Sequence, residues 1–195
     1  MFKKVISCIV LCFFTFTLFT GCRGGKSDVV IFSSMESYRN LALSRQLNQA
    51  FPDLNITVQQ ISTGNNAAKI QAEGTSTEAD IVLALETASF EKIIDNFASL
   101  DSFTPNDYLP EFQPQDNRAF TWEKYEGSII INTIELQKRG LPEPQSYQDL
   151  LNPIYEGLIV MPNPKTSGTG YMFLNAWVNT RGKEEAFAFV GQLQK

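Results

Sequence analysis

The sequence has 195 residues, with 16 lysines and arginines against 21 aspartates and glutamates, a net charge of −5 and no histidine. The missing histidine removes His-based triads, His general bases and His metal sites from these residues. An acidic chain with no basic run also argues against nucleic acid as a partner and implies only a soluble surface.

The chain opens with a basic Met1-Phe2-Lys3-Lys4, followed by an apolar run from Val5 to about Thr20. That run falls short of the about 20 apolar residues a membrane helix needs, and it has the layout of a secretory signal. It ends in Leu18-Phe19-Thr20-Gly21-Cys22. Small residues before a cysteine resemble the lipobox of bacterial lipoproteins; the plainer alternative is an ordinary signal peptide with a chance cysteine. The resemblance implies that residues 1–21 are removed, that Cys22 carries lipid, and that residues 22–27 link the anchor to the domain. Cys8 and Cys12 leave with the signal, so the mature domain is expected to hold neither a free thiol nor a disulfide.

From Asp28 strands and helices are expected to alternate. Val29–Phe32 is a short apolar run suited to a buried parallel strand. Leu43, Leu47, Ala50 and Phe51 fall at helical spacing, and Pro52-Asp53 breaks that helix. Ile56–Ile61 reads as a second strand, Asn65–Glu73 as a helix stopped by Gly74, and Ile81–Leu85 as a third strand. Phe90, Ile93, Ile94 and Phe97 repeat at the spacing of an amphipathic helix. This order predicts a parallel sheet with right-handed crossovers, an α/β fold.

A loop over Thr104–Asn117 follows, then two expected strands, Phe120–Glu126 and Ser128–Asn132. A helix over Ile134–Arg139 stops at Gly140, Leu141–Pro144 is a turn, and Ser146–Leu151 is a short helix. Leu158–Met161 is expected as another buried strand and Pro162–Ser167 as a loop. Helices over about Gly170–Asn179 and Lys183–Lys195 close the sequence, the last with a stripe of Ala186, Phe189, Val190 and Leu193. Its end at Lys195, with no cap and an apolar stripe seeking a partner, gives the expectation that the sequence is cut short and the second lobe incomplete.

Three loops sit at the carboxyl ends of expected strands, the edge where open α/β sheets bind ligands. Ser33 and Ser34 follow the first strand and either bond a ligand or cap the next helix. Thr63, Gly64 and the residues after them open a helix whose amides favour anions, although Gly and Asn also mark plain turns. Asn163–Tyr171 brings hydroxyls and amides of Ser167, Gly168 and Thr169 together, with Lys165 adding charge; the plain reading is a capped helix start. It is not a Walker P-loop, because the Gly-Lys-Ser/Thr spacing is missing. Glu86, after the third strand, suits a metal ion or an amine, or is a solvated acid. Trp122 and Tyr125 wall a cleft or, more commonly for such aromatics, belong to the core.

Asp28–Ser34, Ile61–Gly64, Glu78–Val82 and Asn163–Tyr171, in that order, resemble the bacterial extracellular solute-binding proteins that include ferric-iron, phosphonate, sugar-phosphate and thiamine binders. The resemblance implies a periplasmic-binding-protein-like fold of two α/β lobes, each with a parallel-type sheet, closing about a hinge. Lobe one would run over residues 28–126, and the hinge with the start of lobe two over 127–195. Ser34, Thr63 and Gly64 would face the cleft from one lobe, and Ser167, Gly168 and Thr169 from the other; Ser33, Glu86 and Lys165 are further candidates. The expected partners are a small, anionic solute or an ion, the permease of an ABC importer, and a membrane reached through the lipid anchor, with the protein acting as a monomer and without a cofactor. The iron-binding branch uses adjacent tyrosines; no Tyr-Tyr pair occurs here, which leaves the metal unassigned. An exported enzyme would need a Ser–Lys pair or paired carboxylates, for which no motif is visible; a surface adhesin would lack a closing cleft.

Overall fold

The computed structural model describes residues 26–100, 109–112, 117–124 and 126–194. The expected signal peptide, Cys22, most of the Thr104–Asn117 loop and Tyr125 lie outside these residues.

The first region is built on a three-stranded parallel sheet of order β2-β1-β3, with β1 over Ser27–Ser33, β2 over Leu54–Gln60 and β3 over Ile81–Leu83. Ser27 pairs with Leu54 and Ser33 with Gln60 on one side of β1; Ile31 pairs with Ile81 and Ser33 with Leu83 on the other. Helices α1 (Ser37–Ala50) and α2 (Thr63–Glu73) make the crossovers. Asn48 on α1 fastens the helix to β2, donating from Nδ2 to the Ile56 carbonyl at 3.1 Å. The core gathers Phe32, Ile70 and Ile93, with Val30, Ile61, Val82, Leu85 and Phe97 against them. Phe32 is 0% exposed, and burying a side chain of that kind stabilises by roughly 1.5–3 kcal/mol.

Local differences from the expected pattern have local causes. β3 stops at Leu83 instead of Leu85 because Ala84 turns into the left-handed region at φ 57°, where an alanine cannot continue a pleated strand. The helix expected around Phe90–Phe97 is split into α3 (Thr87–Glu91) and a 3₁₀ turn at Ile94–Asn96. There the Asn96 side chain donates to the Ile93 carbonyl at 3.2 Å, the local competition for backbone that asparagine favours. The apolar spacing still serves the core: Ile93 is buried, and the Phe90 and Phe97 rings lie 5.3 Å apart.

The second region differs in kind. Among the described residues no strand follows Leu83. The described residues of Phe120–Glu126, Ser128–Asn132 and Leu158–Met161, all expected as strands, form none. The reason is pairing: a β-branched run becomes a strand only when a neighbour accepts its backbone bonds. Val160, expected in a buried strand, is 95% exposed, and Ile130 of the expected Ser128–Asn132 strand is 93% exposed. Trp122, expected in a cleft wall or core, is 55% exposed; its neighbour Glu123 is the residue fixed in place, held by the Arg39 guanidinium.

The helices need no such partner. α4 (Thr133–Arg139) is capped by the Asn132 side chain, which accepts from the Glu135 amide at 3.0 Å, and it ends at Gly140 with φ 65°. The turns over Gln148–Leu151 and Pro153–Tyr155 are 3₁₀, replacing the short helix expected at Ser146–Leu151. α5 (Gly168–Arg181) and α6 (Lys183–Leu193) form an antiparallel pair around Trp177, Ala186 and Phe189. Trp177 stacks on Phe189 with ring centroids 3.9 Å apart and takes Tyr147 edge-on at 5.0 Å. Among the described residues no helix is long and apolar enough to cross a membrane.

Candidate functional site

Backbone hydrogen bonds gather the carboxyl ends of all three strands. The Ser34 amide donates to the Leu83 carbonyl at 3.0 Å, and the Ile61 amide to the Ser33 carbonyl at 2.9 Å. The loops after β1, β2 and β3 therefore share one edge, where a parallel sheet presents helix starts to a ligand.

The two serines after β1 part ways. Ser33 is fully buried and its hydroxyl accepts from the Met35 amide at 3.3 Å, so it shapes the turn. Ser34 is half-buried, and its hydroxyl accepts from Asn66 Nδ2 at 3.4 Å. Asn66 belongs to the same candidate loop as Thr63 and Gly64 but is not among the expected site residues. It is completely buried at the start of α2, and its Oδ1 has no hydrogen-bond partner. A buried acceptor left unpaired costs about 1–3 kcal/mol, a cost that native structures accept mainly where function or a donor from outside the chain explains it. Its only sequence signal is position, two residues past Gly64.

α2 begins at Thr63, two residues before the expected Asn65, with Ser62 as its flanking residue. The first bond of the helix runs from the Asn66 amide to the Ser62 carbonyl at 2.8 Å. The amides of Thr63, Gly64 and Asn65 thus have no acceptor within the helix. α5 likewise starts two residues early, at Gly168. Ser167 caps it by accepting from the Gly170 amide at 3.4 Å, which leaves the amides of Gly168 and Thr169 without a partner inside the helix.

These two helix starts touch. The Gly64 amide donates to the Thr166 carbonyl at 3.1 Å, so Gly64 meets the second loop directly. Gly168 is buried against Thr63: a Cβ placed on it would stand 2.9 Å from Thr63 Oγ1. Thr63, Gly64 and Gly168, far apart in sequence, are therefore neighbours, with Ser167 next to them in the chain.

The remaining candidates sit differently. Thr169 is exposed and lines an apolar hollow of about 570 Å³ with Phe173, Trp177 and the 128–132 and 158–162 segments. Lys165 is exposed, and its amide donates to Asn163 Oδ1 at 2.9 Å. Glu86 folds back to cap α3: one oxygen accepts from the Ala88 amide at 2.9 Å and the other from the Ser89 hydroxyl. Among the described residues no group of three His, Cys, Asp or Glu side chains is placed to hold a metal ion.

An ion pair ties α1 to the 117–124 segment. Arg39 on α1 grips both carboxylate oxygens of Glu123 and also reaches Glu36 at 3.5 Å. The bond to Glu123 is the main cause that raises the Arg39 pKa above its already high value.

Comparison with known proteins agrees with this architecture. The family described as bacterial extracellular solute-binding protein matches residues 76–195. An uncharacterized protein of Haemophilus influenzae is 24% identical over 185 residues, 89% of this chain and 52% of that protein. A thiosulfate-binding protein of Pseudomonas aeruginosa is 28% identical over 148 residues, 72% of this chain and 39% of that protein. The chain thus spans about half the length, or less, of the curated relatives it matches. Among solved structures, the periplasmic binding protein AfuA from Actinobacillus pleuropneumoniae with fructose-6-phosphate bound superposes with a TM-score of 0.73 at 23% identity, over 86% of this chain and 55% of that one. The periplasmic binding protein P5PA gives 0.68 at 24% identity, with coverage of 86% and 55%. Iron-bound HitA from Pseudomonas aeruginosa gives 0.63 at 19% identity, with coverage of 86% and 54%. At these identities the structures share the fold.

Proposed function

Since the chain belongs to the bacterial extracellular solute-binding proteins, we propose that the protein captures a small anionic solute outside the cell and passes it to the permease of an ABC importer. The family is one of binding proteins, so no catalytic step is assigned. The observation that carries the ligand class is the meeting of two helix starts at Thr63 and Gly168, at the edge where all three strands end. The amides of Thr63, Asn65, Gly168 and Thr169 have no acceptor within their helices, and an anion at such an end gains about 0.3–1 kcal/mol from each helix when exposed, more when partly buried. Ser34 with Asn66 and Ser167 supply polar groups beside them, and Lys165 adds charge at the rim. Two relatives fit this chemistry by name: one is a thiosulfate-binding protein, the other holds fructose-6-phosphate.

The test is calorimetry on the purified protein with thiosulfate, inorganic phosphate, a sugar phosphate and ferric citrate, each against a neutral sugar. Saturable binding of an oxyanion that weakens at least tenfold in Thr63→Val supports the reading. A tyrosinate–iron colour with ferric citrate, and no binding of the other three anions, would replace it with iron capture. Binding of the neutral sugar alone would overturn the anion assignment.

Export and anchoring belong to the same proposal. Residues 1–21 act as the signal and Cys22 as the lipid-bearing residue; Cys22→Ser should move the protein from the membrane fraction to the soluble fraction, and unchanged membrane retention would remove the anchor from the scheme. The division into lobe one over residues 28–126 and hinge with lobe two over 127–195 is likewise proposed.

A further inference from the structure

The turn after β1 is held by two buried side-chain amides, one from each crossover helix. The Ser34 amide donates to the Leu83 carbonyl at 3.0 Å, which fixes the backbone that carries the Ser34 hydroxyl. From α1, Asn40 is buried and donates from Nδ2 to the Met35 carbonyl at 2.9 Å. From α2, the fully buried Asn66 donates from Nδ2 to Ser34 Oγ at 3.4 Å. Each amide leaves its Oδ1 buried and without a partner. The two bonds differ in what they hold. Asn40 holds main chain and shapes the turn. Asn66 holds a half-buried hydroxyl, and so sets where the proton of that hydroxyl can point.

A serine hydroxyl has one proton and two lone pairs. With a lone pair turned to Asn66, the proton of Ser34 faces away from it, and among the described residues no acceptor takes that proton. We propose that Asn66 is a positioning residue of the binding site, which makes Ser34 a hydrogen-bond donor toward the solute. An amide that presents Nδ2 to Ser34 turns its oxygen away, which accounts for the unpaired Oδ1. A leucine of similar shape would avoid that cost and would leave the hydroxyl free to rotate. The group that meets Ser34 is then an acceptor, such as an oxyanion oxygen, and not an ammonium, which only donates. This deepens the anion reading and rests on it.

The test is a double-mutant cycle on Asn66→Leu and Ser34→Ala. It is read in melting temperature without solute, and in calorimetry with thiosulfate, inorganic phosphate and fructose-6-phosphate. Without solute, Ser34→Ala should lower the melting temperature, because it leaves a buried N–H unpaired. Asn66→Leu should hold or raise it, because it removes an unpaired oxygen and leucine is the better helix former. With leucine at 66, Ser34→Ala should have almost no further effect; strictly additive effects would mean that the two side chains are not bonded and overturn the proposal. With the oxyanion that the wild type binds, Asn66→Leu should weaken binding about fivefold to tenfold, the scale of one hydrogen bond to a charged group, and the double variant should bind like Ser34→Ala alone. Unchanged binding in Asn66→Leu would reduce Asn66 to packing, and stronger binding would mean that its amide takes the Ser34 proton for itself; either result overturns the proposal. Should Asn66→Leu fail to accumulate, the Asn66 side-chain NH₂ resonances decide instead. A marked shift of one of its protons in Ser34→Ala supports the bond, and unchanged resonances overturn it. If the wild type binds none of the three anions, the anion reading falls and takes the donor role of Ser34 with it, while the melting cycle still shows whether Asn66 and Ser34 are bonded.

Discussion

The sheet region, residues 27–97, and the helical region, residues 128–193, obey the same rules of sequence and reach different states of completion. In the first, each apolar run that reads as a strand finds a parallel neighbour, and Phe32 disappears into the core. In the second, runs of similar composition carry no strand assignment, and Ile130 and Val160 stand in the open. The helices show no such contrast: α5 and α6 pack around Trp177, as Ile70 of α2 packs against Phe32 of the sheet. The lesson is about where hydrogen bonds come from. A helix satisfies its backbone within itself, so its own sequence suffices. A strand depends on another segment at its side, and its own sequence cannot supply one.

The largest effects should come from the two cores. Phe32→Ala is expected to cost about 3–5 kcal/mol and to strip exchange protection from β1–β3, while α5 and α6 keep theirs. Loss in both regions together would merge them into one cooperative unit and break the comparison. Trp177→Ala removes the ring that holds Phe189, Tyr147 and the Arg181 guanidinium. It should cost a similar amount, about 3 kcal/mol, with the protection lost in α5 and α6 instead.

A smaller effect is expected where α1 meets the 117–124 segment. Arg39→Met keeps most of the stem and deletes the charge facing Glu123. Both side chains are partly open to water, so the loss in denaturant melts should be about 0.5 kcal/mol at low salt and should vanish as salt is added. A loss that salt leaves unchanged would point to packing in place of the ion pair.

Smaller again, and visible only in acid, is Asp149. Its carboxylate accepts from the amides of Gln145 and Ser146, both at 2.9 Å. The bond from the Gln145 amide is the main cause that holds its pKa below the usual aspartate range. The stability this provides is complete above the unfolded aspartate value and is lost as pH falls through the lower folded value. Asp149→Asn should therefore flatten the acid side of the stability–pH curve and leave its neutral side nearly level; an unchanged acid slope would assign that slope to other carboxylates. Last, Ile130→Thr with Val160→Thr should change stability by less than about 0.5 kcal/mol, since neither side chain is buried. A clear loss would show that these segments are covered in solution, and the contrast between the regions would narrow.

The sequence by itself determined that β1, β2 and β3 exist and pair in parallel, along with their crossover helices and the stripe on α6, because period and punctuation are local properties. It also placed the loops after β1 and β2 at one sheet edge, since that edge follows from strand direction, whereas the 163–171 loop follows no strand. Only the tertiary structure decided which candidates meet. Thr63 and Gly168 became neighbours through a contact between distant loops. Ser33 and Glu86 were taken up by their own turns. Thr169 turned toward an apolar hollow, and Asn66 emerged as a buried amide with an unpaired oxygen. Each of these outcomes depends on what stands opposite a residue in space. Hydropathy and spacing record only what stands beside it in the chain.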